Sequence, residues 1–122
     1  MLISANNKKK IIYVNNKPAG YAKLVLASGH ASVKTANNCQ LERIYILKEF
    51  IPLKIGQQLL RFLEAEVKKL KLDAIWLTVY KENKRAIRFY EKHKYVAVGT
   101  STFYVNNTGY DNVVFMKNIL KT

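Results

Sequence analysis

The sequence has 122 residues, 49% of them hydrophobic and 24% charged, with 21 Lys and Arg against 8 Asp and Glu. That length and apolar content predict one domain over residues 1–122, and they exclude a second domain or a disordered chain. The net charge of +13 favours polyanionic partners: nucleic acid, an acidic membrane surface or a phosphate-rich ligand. Only four cations are Arg, the residue suited to bidentate phosphate and base recognition, so a Lys-rich composition explains the charge better than nucleic-acid binding does.

Cysteine and histidine usage points away from disulfides and metals. Cys39 is the single cysteine, and neither His30 nor His93 lies in a ligand motif. Residues 1–6 contain no signal-peptide run, and no stretch approaches the ~18 apolar residues of a membrane span. The sequence therefore predicts a cytoplasmic protein with no metal site and no membrane contact.

The first half of the chain predicts three strands. Residues 11–14 form a short β-like run, residues 15–18 have the composition of a turn, and residues 19–26 form a second strand pattern, which together indicate a hairpin. A polar loop then leads to a third strand at 39–47. In that strand one face is predicted to carry Leu41, Arg43, Tyr45 and Leu47, and the other Gln40, Glu42, Ile44 and Ile46. Bulk on both faces is typical of a central strand.

The second half predicts two helices and further strands. After a connector with Pro52, a helix begins at Gly56, and its apolar positions repeat with helical spacing up to Leu70. Residues 72–79 predict a buried strand parallel to 39–47, because a strand, a crossover helix and a strand form a βαβ unit. Asn83 predicts the N-cap of a second helix ending near Lys94, followed by strands at 95–98, 103–105 and 113–116 around a turn at 106–109. The order β-β-β-α-β-α-β-β indicates an α/β domain with a mixed sheet.

The junction between residues 39–47 and the helix at Gly56 is a candidate phosphate site. The N–H groups of a first helical turn have no helical partner, and the helix dipole is positive there. A tight loop ahead of the helix lets backbone N–H groups converge on a phosphate, and Lys54 adds charge. By itself this pattern is unspecific, because many helices follow strands with a Gly near their start.

Three segments give the junction a more specific context. They are Leu41-Glu42-Arg43-Ile44-Tyr45-Ile46-Leu47, Gly56-Gln57-Gln58-Leu59-Leu60, and the run from Asn83 to Tyr95, which contains an Asn-x-x-Ala-x-x-x-Tyr pattern. Together they resemble the GNAT family of acetyl-CoA-dependent N-acetyltransferases, over about residues 11–120. The sequence looks closest to the bacterial subgroup that includes polyamine acetyltransferases. The resemblance implies a mostly antiparallel sheet with a central parallel pair and packed helices.

The resemblance also implies a set of site residues for acetyl-CoA, in a gap where strand 39–47 splays from its parallel neighbour. The acetyl and pantetheine groups would meet the backbone of Ile44, Tyr45 and Ile46. The pyrophosphate would be surrounded by Leu53, Lys54, Ile55, Gly56 and Gln57, with Lys92 near the phosphates. Asn83 would hydrogen-bond the cofactor arm, and Tyr90 would protonate the departing thiolate. Glu42 is a candidate base acting through water, unless the strand's alternation turns it away.

Three departures from the family pattern stand out. Ile51 and Lys54 replace a polar residue and a Gly of the phosphate loop, and Pro52 has no N–H to donate. Lys94 stands where the family has a helix-terminating Gly; a Lys at positive φ costs about 1 kcal/mol. The sequence also begins late, since the family usually has a strand and one or two helices ahead of the first hairpin. Their absence would leave the acceptor side open or dependent on a partner subunit.

These observations lead to one hypothesis and two alternatives. The first hypothesis is an N-acetyltransferase that uses acetyl-CoA, without metal, to acetylate a small-molecule or peptide amine by direct transfer. The alternatives are a non-catalytic CoA-binding or regulatory relative and a basic nucleic-acid-binding module, which the even spread of cations disfavours. A homodimer would cover exposed strand edges. The charge of +13 counts against polyamine acceptors.

Overall fold

The computed structural model describes residues 7–120, which form a six-stranded sheet in the order β1-β2-β3-β4-β6-β5. The strands are β1 (Asn7–Val14), β2 (Lys17–Val25), β3 (Asn38–Ile46), β4 (Ala74–Tyr80), β5 (Val96–Val105) and β6 (Thr108–Asn118). The helices are α1 (Ile55–Lys69) and α2 (Lys84–Lys92), with a 3₁₀ helix at Lys48–Leu53. β3 and β4 are parallel, and the other neighbouring pairs are antiparallel. The predicted element order and the mixed sheet with a central parallel pair are confirmed.

Two segments of the chain differ from the sequence prediction or lie outside the structure. Residues 95–98 and 103–105 belong to one strand, β5, because a register shift between Ala97 and Gly99 absorbs Val98 as a bulge and the pairing with β6 continues. Residues 1–6, predicted to lack a signal peptide, and residues 121–122 lie outside the described part. Among the described residues, no helix has the length and apolarity needed to cross a membrane.

Both helices pack on the same face of the sheet and form the main core there. α1 contributes four leucine and valine positions at helical spacing, and β4 contributes alternate residues to the same cluster. The buried members of this cluster include Leu59, Leu60, Leu63, Val67, Cys39, Leu41, Ile75, Leu77, Tyr90 and Phe115. Truncating one such leucine to alanine costs about 2–5 kcal/mol of stability. The core therefore fixes α1 and α2 against β3 and β4, the strands that bound the site described below.

The opposite face of the sheet, which we call the open face, is covered in part by the loop at 26–37, as far as residues 7–120 are concerned. Its residues include Tyr21, Lys23, Arg43, Tyr45, Trp76, Tyr80 and Val114. Trp76 is held by a 2.7 Å hydrogen bond from Nε1 to the Ser28 carbonyl, and Val33 packs against it. Val33, Trp76 and Val114 form a second, smaller buried cluster on this face, and no residue of α1 or α2 belongs to it. Much of the open face, Tyr45 among it, is exposed to solvent.

Asparagine and lysine occupy the left-handed backbone positions of the turns and helix ends. Both hairpins turn through Asn-Asn pairs at positive φ, 15–16 and 106–107, as two-residue hairpins require. α2 ends in a Schellman motif: Lys94 N–H donates to the Glu91 carbonyl (3.1 Å) and Tyr95 N–H to the Tyr90 carbonyl (3.0 Å). The Tyr90 and Tyr95 rings, 5.5 Å apart, add the apolar contact of that motif. Lys94 has φ 74°, at the position where the family resemblance implies a glycine.

Lys94→Gly is expected to stabilise the protein by about 1 kcal/mol, because glycine adopts positive φ without a Cβ clash. Chemical denaturation measures the change as a higher midpoint at an unchanged slope. Lys92→Gly, two residues earlier at the last position of α2, is the matched control and should destabilise instead, since glycine is unfavourable where the backbone is helical. Equal destabilisation by both substitutions would contradict the prediction.

Candidate active site

The parallel strands β3 and β4 separate after a short paired stretch. They pair only at Asn38–Ala74, Cys39–Ile75 and Gln40–Trp76, although β3 continues to Ile46 and β4 to Tyr80. We call the space between the two diverging strands, from Leu41 and Leu77 onward, the gap. Along the gap, no strand of the described residues pairs with the edge of β3 that faces β4. Its backbone N–H and C=O groups are available to a ligand, which is the arrangement predicted for Ile44, Tyr45 and Ile46.

A β-bulge at Glu42 changes the side-chain alternation of β3. Lys23 of β2 pairs with Arg43 and Leu24 pairs with Leu41, so Glu42 is the extra residue. The core face therefore carries Cys39 and Leu41 before the bulge and Ile44 and Ile46 after it. The predicted alternation, with Leu41, Arg43 and Tyr45 on one face, is wrong for this reason. Glu42, Arg43 and Tyr45 instead lie on the open face.

The gap opens into a groove that runs along α2 to the start of α1. Three adjoining cavities of about 280, 340 and 240 Å³ form it. Ile44, Asn83 and Tyr90 line the first two, and Ile46, Gly56 and Phe89 line the last two, so the space is continuous. The first cavity is also lined by Glu42 and Arg43. The groove thus connects the helix side of the sheet to the open face.

Cations and free backbone donors meet at the outer end of the groove. Lys54, Arg85, Lys92 and His93 line the third cavity. Within the described part of the chain no side chain caps α1, so the N–H groups of its first turn remain available. Burial, followed by the charge of Lys92, lowers the pKa of His93, which favours its neutral form. This end of the groove has the charge and the donors for a polyphosphate.

Lys54 connects the 3₁₀ helix to α1 in a left-handed conformation, with φ 59° and ψ 33°. This is the positive φ expected where the resemblance puts a glycine. Pro52 lies inside the 3₁₀ helix, which forms most of the predicted connector. The lysine costs about 1 kcal/mol in backbone energy, and its side chain lines the cationic end of the groove.

Gly56 lies in the second position of α1 and faces the groove. A Cβ built on Gly56 would come no closer than 3.7 Å to Phe89 and 3.9 Å to Ile46, which is ordinary contact. Its φ is not positive. The fold of the chain therefore does not need glycine at this position. A side chain at position 56 would occupy space in the groove, beside the free N–H groups of the first turn of α1.

Tyr90 is a buried tyrosine whose ring lines the junction of the gap and the groove. Its side chain is 5% exposed, and its ring packs against Phe89, Tyr95 and Phe115 at centroid distances of 5.1, 5.5 and 6.4 Å. Among residues 7–120 its hydroxyl has no hydrogen-bond partner. Burial raises the pKa of Tyr90 to about 12, so the phenol stays protonated at neutral pH.

Two polar residues complete the inner part of the site. Asn83 is the N-cap of α2, as predicted: its Oδ1 accepts a hydrogen bond from Ala86 N–H at 3.2 Å. Its side-chain amide N–H groups are not used by the cap. Glu42 forms an ion pair with Lys23, at 3.2 Å between Oε1 and Nζ, and both side chains are partly exposed. Among the described residues there is no group of three metal-ligating side chains.

The structure gathers most of the predicted site residues into one continuous space. Those that line it are Glu42, Ile44, Ile46, Lys54, Gly56, Gln57, Asn83, Tyr90 and Lys92. Three do not. The side chain of Tyr45 lies on the open face, Leu53 is exposed on the 3₁₀ helix, and the side chain of Ile55 is buried. For these three only the backbone could contact a ligand in the groove.

Several residues that line the groove were not predicted as site residues, and three of them lie towards its outer end. Ile51, Arg85 and Phe89 each line the second and third cavities. Arg85, Phe89 and Lys92 are spaced i, i+4 and i+7 on α2, so they share one helix face. That spacing was a usable signal for Arg85 and Phe89. Ile51 was noted only as the replacement of a polar residue in the phosphate loop, and its place in the groove depends on the 3₁₀ helix.

Comparison with known proteins identifies the family. The sequence model of the acetyltransferase (GNAT) family matches residues 4–95. An uncharacterised N-acetyltransferase in the pepI 3′ region of Lactobacillus delbrueckii subsp. lactis is 32% identical over 77 residues, which are 63% of this chain and 44% of that protein. The matched region is thus under half the length of that relative. The chain belongs to the GNAT family of acetyltransferases.

Solved structures share the fold. The spermidine/spermine N-acetyltransferase SpeG from Vibrio cholerae superposes with a TM-score of 0.77 at 20% identity, over 97% of this chain and 70% of that one. A GNAT-family acetyltransferase from Elizabethkingia anophelis with acetyl-CoA bound gives 0.75 at 13% identity, over 93% and 76%. At these identities the similarity concerns the fold alone.

Proposed function

We propose that this chain is an N-acetyltransferase that moves an acetyl group from acetyl-CoA to a primary amine by direct transfer. The observation that carries the proposal is the continuous groove. At one end it has a free helix N-terminus with Lys54, Arg85 and Lys92, which suits a polyphosphate. At the other end it reaches a gap between splayed strands, beside a buried tyrosine hydroxyl. Family membership and the acetyl-CoA-bound neighbour support this choice of cosubstrate.

Each part of acetyl-CoA has a counterpart in the groove. The pyrophosphate would accept hydrogen bonds from the N–H groups of the first turn of α1, beside Gly56. The pantetheine arm would lie between Ile46 and Phe89 and use the side-chain amide of Asn83. The acetyl group would lie in the gap, where the free edge of β3 can hydrogen-bond its carbonyl oxygen. Donors fixed in advance around a developing oxyanion lower the barrier to acyl transfer.

The reaction needs a neutral amine, a polarised carbonyl and a proton for the sulfur. The amine nitrogen attacks the carbonyl carbon, the C–S bond breaks, and the departing thiolate takes a proton from the Tyr90 hydroxyl, which regains one through water from the nitrogen of the new amide. Glu42 is our candidate base: it is the carboxylate that lines the gap, and it would accept the ammonium proton through water. Its ion pair with Lys23 keeps it on the open face, the side from which an acceptor would approach.

The raised pKa of Tyr90 bears on this proton transfer. A phenol of pKa about 12 is a weaker acid than a free thiol of pKa ~8.5, by about 5 kcal/mol. A thiolate formed inside the same low-dielectric gap is also desolvated, which raises its own pKa and narrows the difference. Tyr90 therefore acts first as a hydrogen-bond donor to the developing thiolate, and the proton follows as the C–S bond breaks.

Calorimetric titration with acetyl-CoA tests the cofactor half of the proposal. Wild-type protein is expected to bind acetyl-CoA and CoA, and to bind a CoA analogue without the 3′-phosphate more weakly. Arg85→Ala should weaken binding about tenfold through the loss of a charge-assisted contact. Arg88→Ala is the matched control, because Arg88 is an exposed arginine of α2 that lines none of the three cavities. Absence of binding to all three compounds would remove the proposal.

A non-catalytic CoA-binding protein is the second candidate. The observation that favours it is the Glu42–Lys23 ion pair, which engages the candidate base. Release of free CoA thiol from acetyl-CoA in the presence of an amine panel separates the two candidates. Tight binding of acetyl-CoA without any amine-dependent thiol release would leave only the non-catalytic role.

A further inference from the structure

The mouth of the gap on the open face is formed where the bulge in β3 redirects two charged residues. In a regular strand Arg43 would share a face with Leu41, which is buried in the core. The extra residue at Glu42 breaks that alternation, and Glu42 and Arg43 both face Lys23 across the open side. Bulges beside active sites commonly re-aim a side chain in this way. Here the side chain that is re-aimed to the acceptor side of the gap is Arg43.

The guanidinium of Arg43 is exposed and weakly held. Its one hydrogen bond among the described residues is a 3.4 Å contact from Nη1 to the Tyr21 hydroxyl. The Tyr21 ring in turn lies 6.0 Å from the Tyr45 ring. The remaining N–H donors form a planar fork, which matches the two oxygens of a carboxylate.

Acidic side chains are scarce at the same mouth. Of the eight acidic residues in the chain, Glu42 lines the gap, and Lys23 already pairs with it. Asp111, on β6 beside the end of β4, pairs with Lys81 at 3.4 Å, and Glu82 follows Lys81 in the exposed turn before Asn83. A polyamine with several ammonium groups would have to displace these lysines and approach a protein of charge +13. The mouth therefore disfavours a polycation and favours an anion.

We propose that the acceptor is an amine that also carries a carboxylate, and that Arg43 binds this carboxylate while the amine enters the gap. The inference rests on the proposed acetyl transfer and names its substrate class. Arg43 is then a specificity-determining residue: it contacts the part of the acceptor that does not react. An acceptor with a carboxylate would distinguish this chain from SpeG of Vibrio cholerae, whose named substrates are spermidine and spermine.

The test compares two acceptors with the same four-carbon chain and the same reacting amine. 4-Aminobutyrate ends in a carboxylate, and 1,4-diaminobutane ends in a second ammonium group. For wild-type protein, kcat/KM is expected to favour 4-aminobutyrate at least about tenfold, as a charge-assisted contact allows. Arg43→Ala should abolish this ratio, Arg43→Lys should retain part of it, and Arg43→Glu should reverse it. Arg88→Ala, an exposed arginine outside the gap, should leave the ratio unchanged.

Binding of the two acetylated products to the CoA-saturated protein, measured by calorimetry, gives the same comparison without turnover. If acetyl-CoA binds but neither amine is acetylated, the proposed transfer fails, and the product titration still decides whether Arg43 selects a carboxylate. A wild-type preference for 1,4-diaminobutane or its product overturns the inference and leaves the transferase intact. Equal ratios in wild type and Arg43→Ala, or no binding of either product, would also overturn it.

Discussion

Tyr90→Phe is expected to lower turnover by about a hundredfold or more and to leave the dissociation constant for acetyl-CoA nearly unchanged. A positioned general acid contributes about that factor. The substitution removes one hydroxyl and keeps the ring, so the contacts with Phe89, Tyr95 and Phe115 are retained. No hydrogen bond within the described residues is lost. Steady-state assays of CoA thiol release give kcat, and calorimetry gives the dissociation constant for acetyl-CoA.

Two other tyrosines serve as controls for this substitution. Tyr95→Phe removes a buried hydroxyl that donates to Glu64 at 2.8 Å, so it should lower stability and leave the chemical step largely intact. Tyr104→Phe, at a mostly exposed position of β5, should change neither. An unchanged kcat in Tyr90→Phe would exclude Tyr90 as the proton donor. Loss of acetyl-CoA binding in that variant would show that its main role is to shape the groove.

The raised pKa of Tyr90 predicts how the stability of the protein and the rate of the reaction depend on pH. Burial raises the pKa of its phenol from 10 in the unfolded chain to about 12 in the folded one. The stabilisation from its burial is therefore complete below pH 10 and is lost as the pH rises towards 12, at about 1.4 kcal/mol per pH unit. Tyr90→Phe should remove this alkaline component of unfolding. Below pH 10 the shape of the rate profile should match in both proteins, because the amine and not the tyrosine titrates there.

The features predicted correctly from sequence are those set by neighbouring residues. The side chain of Asn83 caps the helix that begins one residue later, and the Asn-Asn pairs turn both hairpins. Lys54 and Lys94 have positive φ, as the family's glycine positions implied. The parallel pairing of β3 with β4 followed from strand–helix–strand order, since such a crossover brings the strands side by side. All of these depend on short-range geometry or on connectivity.

The features missed depend on contacts between distant segments. The bulge at Glu42 accompanies a register shift between β2 and β3 at Lys23 and Leu24. The sequence of a single strand predicts only strict alternation of side chains, because the register depends on the partner strand. That one extra residue decides that Arg43 faces the open side while Ile44 joins the core. Arg85 was missed for a similar reason: its relevance comes from the packing of α2 beside the start of α1. Homodimerisation at the exposed edges of β1 and β5 stays a prediction.

Gly56→Ala is expected to weaken acetyl-CoA binding about tenfold or more without lowering stability. The added methyl group makes only ordinary contacts with Phe89 and Ile46, and alanine is favoured over glycine in a helix by roughly 0.5–1 kcal/mol. The same methyl group would stand beside the N–H groups of the first turn of α1. A phosphate held off by one carbon loses charge-assisted hydrogen bonds worth about 1.5–3 kcal/mol each. Calorimetry and chemical denaturation on the same variant measure both effects.

Two other glycines make this result interpretable, because the same substitution has a different consequence at each. At Gly29 a Cβ would have its nearest neighbour at 4.0 Å, so Gly29→Ala should change neither stability nor affinity. At Gly20 a Cβ would lie 2.3 Å from the Tyr45 carbonyl oxygen, so Gly20→Ala must push β2 from β3 and destabilise by several kcal/mol. Undiminished acetyl-CoA affinity in Gly56→Ala would place the phosphates elsewhere. Reduced affinity with unreduced stability would mean that glycine at position 56 serves the ligand and not the fold.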